Sequence, residues 1–135
     1  MKPIKQEDLL GCGIACVAFL IKKSYTETVQ LFPDGKKKAG IRGFFCKELI
    51  TVLKSTGLSY GLGYAKGDRL RSLLQPGTII FLKQSAECPG GHYLVRGQHQ
   101  WMDSWINYPE LPIQAGFRDE LPGKPQYILY PLALV

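Results

Sequence analysis

Between Gly13 and Lys23 the apolar residues Ile14, Val17, Ala18, Leu20 and Ile21 return at three- and four-residue steps. That period predicts a helix buried on most sides, starting at or just after Cys12. Lys22 and Lys23 put positive charge at its carboxyl end, where the helix dipole favours it. Thr26 stands where an N-cap belongs for a short helix running to Phe32, and Pro33-Asp34-Gly35 reads as the turn that ends it. The basic residues Lys36, Lys37 and Lys38 then read as a solvated loop. Phe44, Phe45, Leu49, Ile50, Val52 and Leu53 resume helical spacing from Gly43 to Ser55, and Gly57 supplies the stop.

After that the period changes. "LRSLLQPGTIIFLK" reads as a short helical turn, a break at Gln75-Pro76-Gly77, and a strand from Thr78 to Leu82 rich in β-branched and aromatic residues. "HYLVRGQHQWMDSW" reads as a hairpin: one strand from His92 to Arg96, a turn at Gly97, and a return from Trp101 to Trp105. "YILYPLAL" predicts a last strand, and Pro131 within it argues for a sheet edge. Helices first and strands later imply an α+β domain, with a helical half packed on an antiparallel sheet.

Composition narrows the class without naming a chemistry. The chain has 135 residues, enough for one domain, which is taken to run over residues 1–135. Hydrophobic residues make up 45% and charged ones 21%, the balance of a folding globular chain. The longest uncharged run, Leu9 to Ile21, has thirteen residues, short of the roughly 20 needed to cross a bilayer. The start carries Lys2 and Lys5 but also Glu7 and Asp8, and the apolar run after it is loaded with Gly and Cys, which is not the pattern of a secretory signal, so a cytoplasmic location is expected. The net charge of +6 is dispersed, and no aromatic residue is interleaved with the three-lysine cluster, so no nucleic-acid partner is expected. The cysteines at 12, 16, 46 and 88 are read as free thiols.

Within that frame, Cys12 between Gly11 and Gly13 is the candidate nucleophile. At a helix N-terminus, free N–H groups and the helix dipole push a thiol toward thiolate. The two glycines leave room beside it for a substrate backbone. Of the two histidines, His92 opens an apolar strand after Pro89-Gly90-Gly91 and is the candidate base, whereas His99 falls in the hairpin turn. Asp103, on the return strand, is placed to orient the imidazole, with Asn107 as second choice. The Cys12 N–H and the side-chain amide of Gln6 are candidate oxyanion donors.

The set Gln6, Cys12-Gly13, Ala15-Cys16, Gly91-His92-Tyr93 and Asp103 resembles the double-glycine-leader peptidases, papain-like cysteine peptidase domains that precede bacteriocin-exporting ABC transporters. The resemblance spreads over most of the chain and includes the Gly-rich approach to the middle helix, Gly40 to Phe45. It implies a papain-like α+β fold. Cys12 would be nucleophile, His92 general base and acid, Asp103 the orienter and Gln6 the oxyanion donor, with no cofactor or metal. It further implies a peptide or protein substrate, in the family's case a leader peptide. A separate ABC-type exporter is the implied partner, which would associate the domain with a membrane transporter. The chain is read as a free-standing copy. Gly11 stands where the family usually has aspartate, and Ser104 where it usually has proline. A pair of small residues before the scissile bond is expected to be preferred, through a narrow channel beside Gly13 and Gly91, walled by Trp101 and Trp105.

Other readings stay open. Cys16, a turn beyond Cys12, and Cys46 read as packing. Cys12, Cys16, Cys88 and His92 can be drawn as a Cys₃His zinc site. The same triad serves deamidases and acyltransferases, which share the thioester. A degenerate domain of the same fold would only grip a peptide.

Overall fold

A computed structural model describes residues 2–86 and 88–132. Helix α1 (Cys12–Ile21) buries every residue from Gly13 to Phe19, as its apolar period requires. Lys22 ends it through its backbone, in the left-handed region at φ 59°, with its N–H on the Ala18 carbonyl. Helix α2 (Tyr25–Val29) is capped by Ser24 rather than Thr26. The Ser24 hydroxyl accepts the Glu27 N–H at 3.0 Å and the Glu27 carboxylate accepts the Ser24 N–H at 3.2 Å, satisfying two orphan donors at once.

The basic cluster is not a loop. Lys36, Lys37 and Lys38 lie in helix α3 (Gly35–Ile41), which buries only Gly35 and Ala39. No apolar period announces it because ion pairs to distant residues anchor it: Lys36 Nζ lies 2.8 Å from Asp8 Oδ1 and Lys38 Nζ 3.2 Å from Glu48 Oε2. Helix α4 (Cys46–Ser55) starts three residues after Gly43, because Phe45 is extended and its N–H is taken by Glu48 Oε1 at 2.8 Å. Phe44, just outside the helix, packs on Phe32 with ring centroids 4.7 Å apart. Gly57, at φ 94°, adopts the left-handed conformation expected of a stop.

The strands are β1 (Tyr60–Tyr64), β2 (Ile79–Leu82), β3 (His92–Arg96), β4 (Trp101–Asp103), β5 (Gly116–Arg118) and β6 (Pro125–Pro131), with a 3₁₀ segment, Gly67–Leu74, before β2. They form one sheet in the order β1-β6-β2-β3-β4-β5, with every pairing antiparallel. This corrects the edge position expected for the last strand: β6 lies between β1 and β2. Pro131 is tolerated because it is the final residue of β6, opposite Tyr60, and the next N–H, of Leu132, resumes bonding to Ser59 O at 2.9 Å. Ala133 and Leu134, included in that expected strand, lie outside the described residues. The edges are β1 and β5, which no pattern announced. β1 reads Tyr-Gly-Leu-Gly-Tyr, and a Cβ on Gly61 would fall 2.5 Å from the ring of Tyr130, so close cross-strand packing selects the glycine.

One face of the sheet receives the helices: Ile79, Tyr93, Val95, Met102 and Leu129 share a core with Ile14, Val17, Leu49 and Leu53. On the opposite face Ile80, Leu82, Leu94, Trp101 and Ile128 form a smaller core under Leu73, Leu121 and Tyr130. The architecture is α+β, with helices in the N-terminal half and strands after them. Among the described residues no helix is long and apolar enough to cross a membrane.

Candidate active site

Cys12 is the first residue of α1, where backbone N–H groups have no intrahelical acceptor and the dipole is positive. Burial pushes its thiol up, but a hydrogen bond and the charge of His92, with the N–H groups of Tyr93 and Gly13 pointing at the sulfur, outweigh it and hold the thiol below its ordinary range. The two ends of this contact come from distant elements. The helix start supplies one N–H and β3 the other, so the thiolate is held across the seam between helix layer and sheet.

His92 opens β3 and is 14% exposed, enough to be reached from solvent. Its Nε2 lies 2.7 Å from Asp103 Oδ1, which leaves Nδ1 as the ring nitrogen for Cys12. The β3–β4 register pairs Val95 with Met102. Continued by one residue it sets Asp103 opposite Leu94, so His92 reaches the carboxylate along the same-face diagonal of the hairpin. Burial lowers the imidazole, yet the bonds and charges of Asp103 and Cys12 raise it to about 10. Asp103 is itself 1% exposed and fully engaged. Its Oδ1 also accepts the Trp105 N–H at 3.0 Å and its Oδ2 accepts from Arg118 Nη1 at 3.1 Å. Burial pushes this carboxyl up, and the His92 bond and charge, the Trp105 N–H and Arg118 together bring it below the usual range. Asn107, the second candidate for orienting His92, does not meet the ring: its side chain bridges Pro112 O and Gln114 N within the following loop.

Gln6 is 1% exposed and borders the same cavity as Cys12 and His92. Its amide is held on three sides: Nε2 donates to Asp8 O at 2.9 Å and Leu9 O at 3.1 Å, and Oε1 accepts from the Ser104 hydroxyl at 2.7 Å. Both amide hydrogens therefore point to the carbonyls of the Asp8-Leu9 turn, and Gln6 can serve an oxyanion only by exchanging one of those bonds. Ser104 sets which end of the amide faces that turn, and Arg118 buttresses Asp103. Sequence reasoning assigned a role to neither. Ser104 was visible as a departure from the expected proline, but Arg118 carries no local signal.

Both flanking glycines are buried, and neighbouring side chains fill the space that a Cβ would need. A Cβ on Gly11 would fall 2.0 Å from the hydroxyl of Tyr25, which bonds Asp8 Oδ2 at 2.7 Å, and a Cβ on Gly13 would meet Leu49 Cδ1 at 3.0 Å. Gly13 faces the core and does not border the cavity beside Cys12. Gly11→Ala is expected to cost about 1–3 kcal/mol by forcing the buried Tyr25 aside, read as a lower urea midpoint at unchanged slope. Trp101 is also corrected: it is 3% exposed in the core on the opposite sheet face, because it alternates away from the helix layer. Gly91 does line the cavity, at φ 73°, and a Cβ there would fall 2.2 Å from Phe81, so its bareness lets the chain turn into His92 against that ring. Trp105 walls the cavity from the loop after β4.

The cavity beside Cys12 holds about 400 Å³ and is lined by Phe44, Phe45, Phe81, Tyr93, Trp105 and Tyr108 among others. Cys16 is wholly buried in the core, where burial pushes its thiol well up. Cys46 begins α4 and receives the Tyr93 hydroxyl at 3.5 Å, a packing role as expected. Cys88 borders the cavity, and its burial raises it to about 11. All four thiols are free. No group of three or more His, Cys, Asp or Glu among the described residues is placed to hold a metal ion, so the drawn Cys₃His set is not assembled. His99 is exposed in the hairpin turn. No family model matches this chain, and no curated protein matches it.

Proposed function

We propose that this chain is a cysteine peptidase of papain-like fold that cleaves peptide bonds through a Cys12 thioester. One observation carries the reading: a single imidazole, raised to about 10, bonds a buried carboxylate at 2.7 Å on one side and a helix-start thiol, lowered from its ordinary range, on the other. This is the arrangement in which a thiol rests as thiolate beside imidazolium. The layout also accords with the resemblance to the double-glycine-leader peptidases, with the cysteine on a buried helix and the histidine and aspartate on neighbouring strands.

The sulfur of Cys12 attacks the peptide carbonyl carbon, and the carbonyl electrons move to oxygen. The Cys12 N–H, free of an intrahelical partner, meets that oxyanion, with Gln6 Nε2 joining by releasing one turn carbonyl. As the carbon–nitrogen bond breaks, His92 gives its proton to the amine, and the acyl group stays on sulfur. Water then attacks the thioester, its proton passes to His92, and the acid leaves as the thiolate is restored. Asp103 holds the ring and its charge throughout.

The substrate is a peptide or protein. Its acyl half would lie against Phe44, Phe81 and Tyr93, a wide apolar seat. With Gly13 occupied by packing against Leu49, the small-residue channel loses one of its two walls, and a double-glycine leader is one substrate among those the seat admits.

Incubation with a mixed peptide library tests the reading by mass spectrometry. New amino termini are expected with the native protein and none with Cys12→Ala. Unchanged peptides, or only the one-dalton gain of deamidated side chains, would overturn it. The rate should form a bell in pH, rising as Cys12 ionises below the ordinary thiol range and falling as His92 loses its proton near 10.

A further inference from the structure

A second cavity opens on the Asp103 side of His92, and we propose that it is a cationic subsite for a carboxylate carried by the departing half of the substrate. The inference rests on the reading of His92 as proton donor to a leaving amine. The cavity holds about 240 Å³ and shares Cys88, His92, Trp105 and Tyr108 with the one beside Cys12. His92 therefore stands between the two. An acyl half bound over Cys12 must send its leaving amine toward the His92 ring, and the chain beyond that amine runs into the second space.

Charge decides what fits there. Lys83 and Arg118 line the cavity with His92, and Asp103 is the single carboxylate among its described lining residues. Both Asp103 oxygens are already taken, by His92 and the Trp105 N–H on one side and by Arg118 on the other. Asp103 makes its ion pairs with His92 and Arg118 and none with Lys83. Arg118 spends Nε on Glu120 O at 3.0 Å and Nη1 on Asp103, and Nη2 has no hydrogen-bond partner among the described residues. The side chain of Arg118 is 31% exposed, so Nη2 has a route to a ligand. Lys83 is exposed and makes no ion pair among the described residues. Leu82, Ile106 and Pro122 supply apolar walls that lower the local dielectric. A guanidinium fixed in place by Asp103 and a nearby ammonium form a site for one carboxylate. That group comes from an Asp or Glu side chain just after the scissile bond, or from a free carboxyl terminus.

Peptide titrations followed by NMR at the Arg118 Nε–H and Trp105 indole signals separate these sources. Cys12→Ala protein is used so that nothing is cleaved. Acetyl-Gly-Gly-Glu-Glu-amide offers side-chain carboxylates only, and acetyl-Gly-Gly-Gln-Gln as the free acid offers the terminal one only. At least one of the two is expected to bind about tenfold or more tightly than acetyl-Gly-Gly-Gln-Gln-amide, with both signals shifting. Lys83→Gln should reduce that advantage to about threefold or less, and Lys83→Glu should abolish it. Equal binding of all three peptides, or an advantage unchanged in Lys83→Glu, would overturn the subsite. The readout needs no turnover, so a protein that binds the acidic peptide but cuts no library peptide would fail the peptidase reading while keeping the subsite.

Discussion

His92→Ala is expected to lower kcat/KM by about 10³–10⁴-fold and, in the same protein, to slow iodoacetamide labelling of Cys12 at pH 6 by at least tenfold. The two effects share one cause. Burial alone would push the Cys12 thiol up, and the hydrogen bond and charge of His92 are the largest contributions against it. Without the imidazole, the Tyr93 and Gly13 N–H groups remain, but a buried thiol without a cation returns to its neutral form. Labelling followed by mass spectrometry reads this site by site: Cys46, whose burial raises it, should label slowly in both proteins. Equal rates for Cys12 with and without His92 would show that no thiolate–imidazolium pair exists. The protein should also lose a stabilising contribution that depends on pH. The His92 value is raised from 6.5 to about 10, so its contribution is complete below 6.5 and disappears as pH climbs through 10.

Replacing Asp103 by alanine should be the most destabilising single change at the site, by about 3–5 kcal/mol. The carboxylate is buried and serves three donors at once, His92, the Trp105 N–H and Arg118. Removing it leaves two cations and an amide N–H without their acceptor. Chemical denaturation measures the loss. Asp103→Asn separates position from charge, because its carbonyl oxygen can still accept from His92 and Trp105. It should fold, and it should move the alkaline limb of the activity profile below 10, since the charge that supports the imidazolium is gone. An unmoved limb would mean that Asp103 holds the ring without tuning it. Native Asp103 carries its own signature in acid: its value is depressed, so its contribution is present above the ordinary 3.8 and is lost as pH falls through the lowered value.

What could be read from the chain follows the range of the forces involved. The α1 period, the stop at Gly57, the β2 strand and the hairpin that brings Asp103 near His92 all depend on residues a few positions apart, and spacing alone shows them. Helix α3 was invisible because it buries only Gly35 and Ala39 and so shows no apolar period; ion pairs from Lys36 to Asp8 and from Lys38 to Glu48 hold it instead. The inner place of β6 was misjudged because Pro131 argues for an edge only when its missing N–H falls inside a ladder, and here it ends one. The Ser24 cap was legible and overlooked, since a glutamate three residues on completes a capping box.

The candidate site divides the same way. Sequence by itself determined that a cysteine begins a buried helix, that a histidine opens an apolar strand, and that an aspartate follows on the return strand, because each is a local pattern of period or turn. Only the tertiary structure decided what those residues face. It set Tyr25 and Leu49 against the two glycines, turned Trp101 to the far face, tied the Gln6 amide to its own loop through Ser104, and brought Arg118 from β5 onto Asp103. Those partners lie 14 to 98 positions from the residues they touch. At such separations only the packing of helix layer on sheet, a sum of many weak contacts over the whole chain, chooses who meets whom.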